Sequence, residues 1–142
     1  TDVLNSFWTT MALRDGVVRL VGGDSPWEGR VEVFHNGDWG TVCDDHWTQQ
    51  HAEVVCRQLG YRYEYLNNTQ NGTFGEGVGL ILLDDVQCDG SETSLLDCKH
   101  GIWGRTDCSH SEDVGFVLTT GIAFVEPLSE LRNKHLLHHR YI

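Results

Sequence analysis

The stretch from Gly29 to Trp47 limits what this chain can become more than any other. It reads Gly-Arg-Val-Glu-Val-Phe-His-Asn-Gly-Asp-Trp-Gly-Thr-Val-Cys-Asp-Asp-His-Trp. Arg30 to Phe34 alternates polar and apolar side chains at the two-residue period of a half-buried strand. Asn36-Gly37 then supplies the left-handed residues that a two-residue hairpin turn demands. The return strand, Trp39 to Cys43, ends on a cysteine followed at once by Asp44 and Asp45. A hairpin, a covalent anchor and an acidic pair therefore fall together at one strand end.

With 142 residues the chain suits one domain with short extensions, small enough to benefit from covalent staples. No apolar run approaches the roughly 20 residues of a membrane span, and no charged-then-apolar leader opens the chain, which reads as a mature or excised piece. Five cysteines, sixteen glycines and two Asn-x-Thr acceptors, at Asn67 and Asn71, point to secretion. The net charge of −11 is concentrated in residues 15 to 120, which hold eighteen acidic and six basic side chains. Nucleic acid, which needs clustered Lys and Arg, is a poor partner for such a body. A divalent cation is a good one.

Along the chain, residues 1–15 form an N-terminal extension without clear periodicity, in which Phe7, Trp8 and Leu13 are candidates to pack on a neighbour. Val17 to Val21 is a short strand, broken by Gly22-Gly23-Asp24-Ser25-Pro26. After the hairpin, Thr48 caps a helix from Gln49 to Leu59, where Ala52, Val55, Cys56 and Leu59 share one apolar face and Gly60 supplies the left-handed stop. Tyr61 to Gly79, rich in Asn and Gly and holding both glycan acceptors, reads as an exposed loop. Leu80 to Leu83 is a buried strand or core segment that delivers Asp84 and Asp85. Between Cys88 and Cys98 lie a turn and one or two helical turns, with Leu95 and Leu96 facing inward. A last strand, Val114 to Leu118, follows the polar run Asp107 to Asp113, and residues 120–142 form a C-terminal extension whose His135, His138 and His139 belong to a solvated tail.

Six motifs carry a resemblance. They are Val18-Arg19-Leu20-Val21-Gly22-Gly23, the Gly29 to Trp47 stretch, Ala52 to Tyr61, Leu83-Asp84-Asp85-Val86-Gln87-Cys88, Ser94-Leu95-Leu96-Asp97-Cys98 and Cys108 to Gly115. In order and spacing the region they span resembles a scavenger receptor cysteine-rich domain of the six-cysteine branch. The resemblance implies an α+β fold for residues 16–119, a curved mixed sheet cradling one main helix and stapled by disulfides. It implies bridges Cys43–Cys108 and Cys88–Cys98. Where that branch has a sixth cysteine, this chain has Leu118, so Cys56 lacks its expected partner. An odd cysteine in a secreted chain is a buried free thiol, a link to another chain or a redox handle. The apolar helix face under Cys56 and the bulk of Leu118 favour the buried thiol.

The resemblance also assigns chemistry. In calcium-binding members, the Asp-Asp after the first cysteine and the Glu of a Ser-Glu-Asp motif form one site, which here is Asp44, Asp45 and Glu112. A second site in some members corresponds to Asp45, Asp84 and Asp107. The bland alternative is that these acids cap turns and pair with Arg30, Arg57 or Arg105. Enzyme readings fail: the chain has no Gly-x-Ser-x-Gly elbow, no His-Glu-x-x-His and no phosphate loop, and its Cys/His neighbours lack zinc spacing. His46, His51 and His110 read as loop or surface groups. The leading expectation is an extracellular recognition module that binds a protein, polyanionic or glycan ligand through calcium, with Trp39, Trp47 and Trp103 as candidate apolar contacts. The alternatives are an accessory domain of a secreted protease or amine oxidase, and a structural subunit joined to a larger parent or an oligomer through its flanks.

Overall fold

The computed structural model describes residues 14–69 and 72–119. The N-terminal flank up to residue 13, the C-terminal extension and Asn71 lie outside the described residues.

Strands β1 (Val18–Gly22), β2 (Glu28–His35) and β3 (Asp38–Val42) come first, then helix α1 (Gln49–Leu59), then β4 (Tyr65–Thr69), β5 (Ile81–Leu83) and β6 (Gly115–Thr119). The sheet runs in the order β4-β6-β2-β3-β5, with β1 also on β2. It is mixed, because β3 and β5 are parallel and the other pairs antiparallel.

The long β2 organises the sheet. Pairing with β1 fills one of its edges from Gly29 to Val33. Its other edge is shared: β6 pairs with Glu28 to Arg30, and β3 pairs with Glu32 to His35. Between them Val114 closes the gap, accepting from Val31 N–H at 2.9 Å and donating to Val42 O at 2.9 Å. The chain therefore splays where β3 leaves β2 and β6 takes over. Gly29 is needed there: its φ is +150°, and a Cβ would lie 2.7 Å from the Val21 nitrogen.

The helix forms as its pattern predicts. The ring of His51 reaches back to its start, with Nδ1 accepting from Thr48 N–H at 2.8 Å, a capping-box arrangement with His in the usual Glu position. Gly60 ends it at φ 75°. Ala52, Val54, Val55 and Cys56 face a core that includes Val31, Val33, Val42, Leu83, Leu95, Phe116 and Leu118. Each fully buried Leu or Phe here contributes about 2 kcal/mol of transfer free energy.

Four expectations need correction. Tyr65 to Thr69 is a strand rather than part of a loop. Its Asn-Asn pair has poor β-propensity, but backbone pairing with β6 and the burial of Leu66 override it. Leu80 is 51% exposed, because the strand begins only at Ile81. Leu95 is fully buried, whereas its neighbour Leu96 is 41% exposed, since the 3-10 turn Leu95–Asp97 cannot point consecutive side chains the same way. His51 is buried, not a surface group.

Candidate functional site

The splay between β3 and β6 is closed by a covalent bond. Cys43, one residue beyond β3, is bridged to Cys108, and a second bridge joins Cys88 to Cys98. The first bridge spans 65 residues and draws the chain after β3 against the 3-10 turn His110–Glu112. Asp44 N–H then donates to Glu112 O at 2.8 Å. Two like-charged segments are thus pinned side by side.

At that corner one carboxylate oxygen from each of Asp44, Asp45 and Glu112 lies within 4.8 Å of the others. Asp45 and Asp84 approach each other, and both sulfurs of the bridge, within the same distance. Asp45 Oδ2 is also 3.3 Å from the Cys108 sulfur, which carries no proton to offer and so adds crowding without a hydrogen bond. Desolvation first, and then the charges of Asp84, Glu112, Asp107 and Asp44, raise the pKa of Asp45 above the usual carboxylate range. Asp107 reaches the corner through this field and contributes no oxygen to either close group.

The acids differ in how they are held. Asp84 is buried, accepting from Thr106 Oγ1 at 2.6 Å and Asp85 N–H at 2.7 Å. Glu112 Oε2 accepts from Ser109 N–H at 2.9 Å. His46 and Asp85, flanking the site, both adopt positive φ, at 61° and 54°. Arg30 is engaged with Glu32 and with the Phe74 and Gly75 carbonyls, and Arg57 with the Glu92 carbonyl. Neither faces the acidic corner in those contacts.

One pair went unread in the sequence. Asp113 is 2% exposed and accepts from Gly77 N–H at 2.7 Å and from His110 Nδ1 at 2.9 Å. His110 Nε2 donates to Gly79 O at 2.9 Å. Burial pulls the His110 pKa down, but the Gly79 carbonyl, Asp113 and Glu76 outweigh it and leave it raised. The pair ties the loop after β4 to the turn that carries Glu112. The Ser-Glu-Asp run was the available signal, but it drew attention to its Glu alone.

Elsewhere the expected residues sort themselves. Cys56 is a buried free thiol, 1% exposed. Trp47 is buried with its Nε1–H on Asn68 Oδ1 at 3.2 Å. Trp39 lies under the Arg19 guanidinium at 4.0 Å and Trp103 stacks on His35 at 3.9 Å, so all three tryptophans are engaged in intramolecular packing.

The fold is one that known proteins share. The profile of the scavenger receptor cysteine-rich domain matches residues 21–117. A scavenger receptor cysteine-rich domain superfamily protein of Patiria pectinifera is 54% identical over 104 residues, 72% of this chain and 9% of that protein. Macrophage scavenger receptor types I and II of Mus musculus is 52% identical over 103 residues, 72% of this chain and 22% of that protein. The chain thus spans only a small part of these relatives. Among solved structures, the third SRCR domain of murine neurotrypsin gives a TM-score of 0.65 at 51% identity, covering 71% of this chain and 94% of that one. The dimeric form of the SRCR domain of mouse MARCO gives 0.57 at 44% identity, covering 70% and 91%.

Proposed function

Because the chain belongs to the scavenger receptor cysteine-rich domain family, we propose that it is an extracellular, non-catalytic recognition module that takes a protein, polyanionic or glycan ligand through calcium at its acidic corner. The observation that carries this reading is the convergence of Asp44, Asp45 and Glu112 oxygens within 4.8 Å. Hard cations such as calcium take six to eight oxygen ligands, so three carboxylates leave positions open for water or for an anionic group of a ligand. Asp45 also faces Asp84 and Asp107, which form a second, adjoining cation position in this proposal. The raised pKa of Asp45, from desolvation and then from its acidic neighbours, is in keeping with it, since a positive charge placed among these carboxylates would offset their repulsion.

The test is calorimetric titration of calcium into metal-stripped protein, repeated with Asp45→Ala, followed by capture on an immobilised sulfated polysaccharide with and without chelator. Saturable binding that the substitution abolishes, with capture lost in chelator, is the expected result. Capture that survives chelation rejects the calcium-bridged mechanism.

A second reading has one observation in its favour: the matched relatives are far longer than this chain, at 9% and 22% coverage. In it the domain positions a larger secreted protein, such as a protease or amine oxidase, or joins an assembly through residues 1–15 and 120–142. Light scattering on full-length and trimmed chains separates the assembly role from the first reading, since a monomer in both forms counts against it.

A further inference from the structure

Strand β4 is the end strand of the sheet among the described residues, and it carries the triplet Asn67-Asn68-Thr69. Strand geometry sends neighbouring side chains to opposite faces and so separates the two asparagines. Asn68 points inward, its Oδ1 accepting from the buried Trp47 indole at 3.2 Å. Asn67 is exposed, its amide free of the core. The acceptor position of the triplet is therefore the one whose side chain reaches solvent.

Thr69 adds an independent observation. Its Oγ1 is buried without a hydrogen-bond partner. Thr69 is in register with Gly115, whose Cβ position would lie 3.0 Å from the Phe74 ring. A buried unpaired hydroxyl is costly, and valine would fill the same space without that cost. The hydroxyl makes sense as part of an acceptor triplet read before the strand is built. Once β4 pairs with β6, an enzyme that must reach both the amide and the hydroxyl finds the second closed off.

The outer edge of β4 explains what a substituent there would do. Leu118 N–H donates to Trp27 O at 3.0 Å, towards β2, so the Leu66 and Leu118 pair is not joined by ladder bonds. The backbone groups of Leu66, and of Asn68 two residues on, consequently turn to the outside. Among the described residues no strand lies beside these groups, and edge groups of this kind are templates for pairing with another chain.

We propose that Asn67 carries an N-linked glycan, attached before β4 pairs with β6, that afterwards screens the edge β4 presents among the described residues. In the transfer step the Asn67 amide nitrogen bonds to the anomeric carbon of a lipid-diphosphate-linked oligosaccharide. The bond from that carbon to the diphosphate oxygen breaks, the amide gives up one proton, and the lipid diphosphate leaves.

The test uses the full chain secreted from animal cells, as wild type, Asn67→Gln, Thr69→Val and, as a control for the second acceptor, Asn71→Gln. An N-glycan-releasing glycosidase reports the number of glycans on each. The proposal expects Asn67→Gln and Thr69→Val each to lack one glycan that Asn71→Gln retains, and Thr69→Val to melt no lower than the enzymatically deglycosylated wild type. Unchanged glycan numbers in both variants overturn the site. Wild-type chain refolded without glycan should be refused by microsomes that modify the reduced, unfolded chain; equal modification of both overturns the order of events. In sedimentation velocity at rising concentration, Asn67→Gln and Thr69→Val should self-associate where the glycosylated chain stays one species. Identical behaviour of all three overturns the screening role.

Discussion

The end of β3 and the inner face of α1 each carry a cysteine, and they are held by opposite means. At Cys43 a bridge to Cys108 holds Asp44 and Asp45 against Glu112, and desolvation together with the neighbouring carboxylates raises the pKa of Asp45. At Cys56 there is no bridge. The thiol is 1% exposed in a core shared with Leu118, also 1% exposed, and Phe116. Of these two cysteines, the one whose neighbours repel one another is bridged, and the one whose neighbours are apolar is held by packing alone. A bridge can hold an unfavourable surface in place, whereas a packed leucine can hold only what water already drives together.

The largest way to break this comparison is to open the first bridge. Replacing Cys43 and Cys108 by alanine removes the closure of a loop of 65 residues, which in the chain-entropy account costs about 4 kcal/mol. Denaturant unfolding in chelator should show somewhat less than that loss, because opening the corner also relieves the repulsion among its acids. Added calcium should restore part of it if the acids hold the ion.

Next in size is the packed wall. Leu118→Ala should cost about 3 kcal/mol, the cavity-forming range for a fully buried leucine. Leu118→Cys sharpens the same point, since the six-cysteine pattern puts a partner for Cys56 at this position. The variant should lose the thiol that titrates in denaturant. In the wild type, desolvation and then Glu53 push the Cys56 thiol up to about 12. Its thiolate at pH 8 is about a thousandfold scarcer than for an ordinary cysteine, so alkylation in native buffer should proceed only as fast as the chain opens.

Much of this was legible in advance, and the reasons are particular. The hairpin was readable because Asn36-Gly37 sits between two alternating runs, and the helix because Thr48 and Gly60 punctuate a clean apolar stripe. Those signals are local. What escaped depended on distant partners. The Tyr65 to Thr69 segment has one buried side chain, Leu66, and becomes a strand only because β6 offers it a ladder. The pairing of half-buried His110 with buried Asp113 depends on Gly77 and Gly79, more than thirty residues away. At the acidic corner the residue types were readable, but their approach within 4.8 Å depends on how β3 and β6 divide one edge of β2.

A smaller effect comes from the acidic corner itself. The Asp45 carboxyl has its pKa raised in the folded state, so its contribution to stability is fully present below its unfolded pKa, near 3.9, and is lost as pH rises through the raised value. At neutral pH, in chelator, Asp45→Asn should therefore melt slightly higher than the wild type. With calcium the order should reverse, because the ion relieves the repulsion only in the wild type. If the substitution lowers melting equally with and without calcium, Asp45 is a structural acid and the contrast between the two cysteine regions loses its electrostatic half.

The smallest expected effect lies on the packed side and runs the other way in pH. Desolvation lowers the pKa of His51, against weaker upward pulls from Glu92 and the Val86 backbone. With Nδ1 accepting from Thr48 N–H, the proton of the neutral ring sits on Nε2, which is buried without an acceptor in hydrogen-bonding range. The Val86 backbone acts on it too weakly to count as a bond. Protonating the ring would turn the Nδ1 acceptor into a second donor facing the Thr48 N–H, removing the cap as it places a charge in the core. The stability His51 provides is therefore intact above about pH 6.5, its unfolded value, and falls as pH drops below it towards the lowered folded pKa. His51→Gln keeps an acceptor for the Thr48 N–H, as a capping box allows, and does not titrate. Its melting temperature should lose the part of the pH dependence between 5 and 6.5 that the wild type shows, and an unchanged slope would assign that dependence to another group.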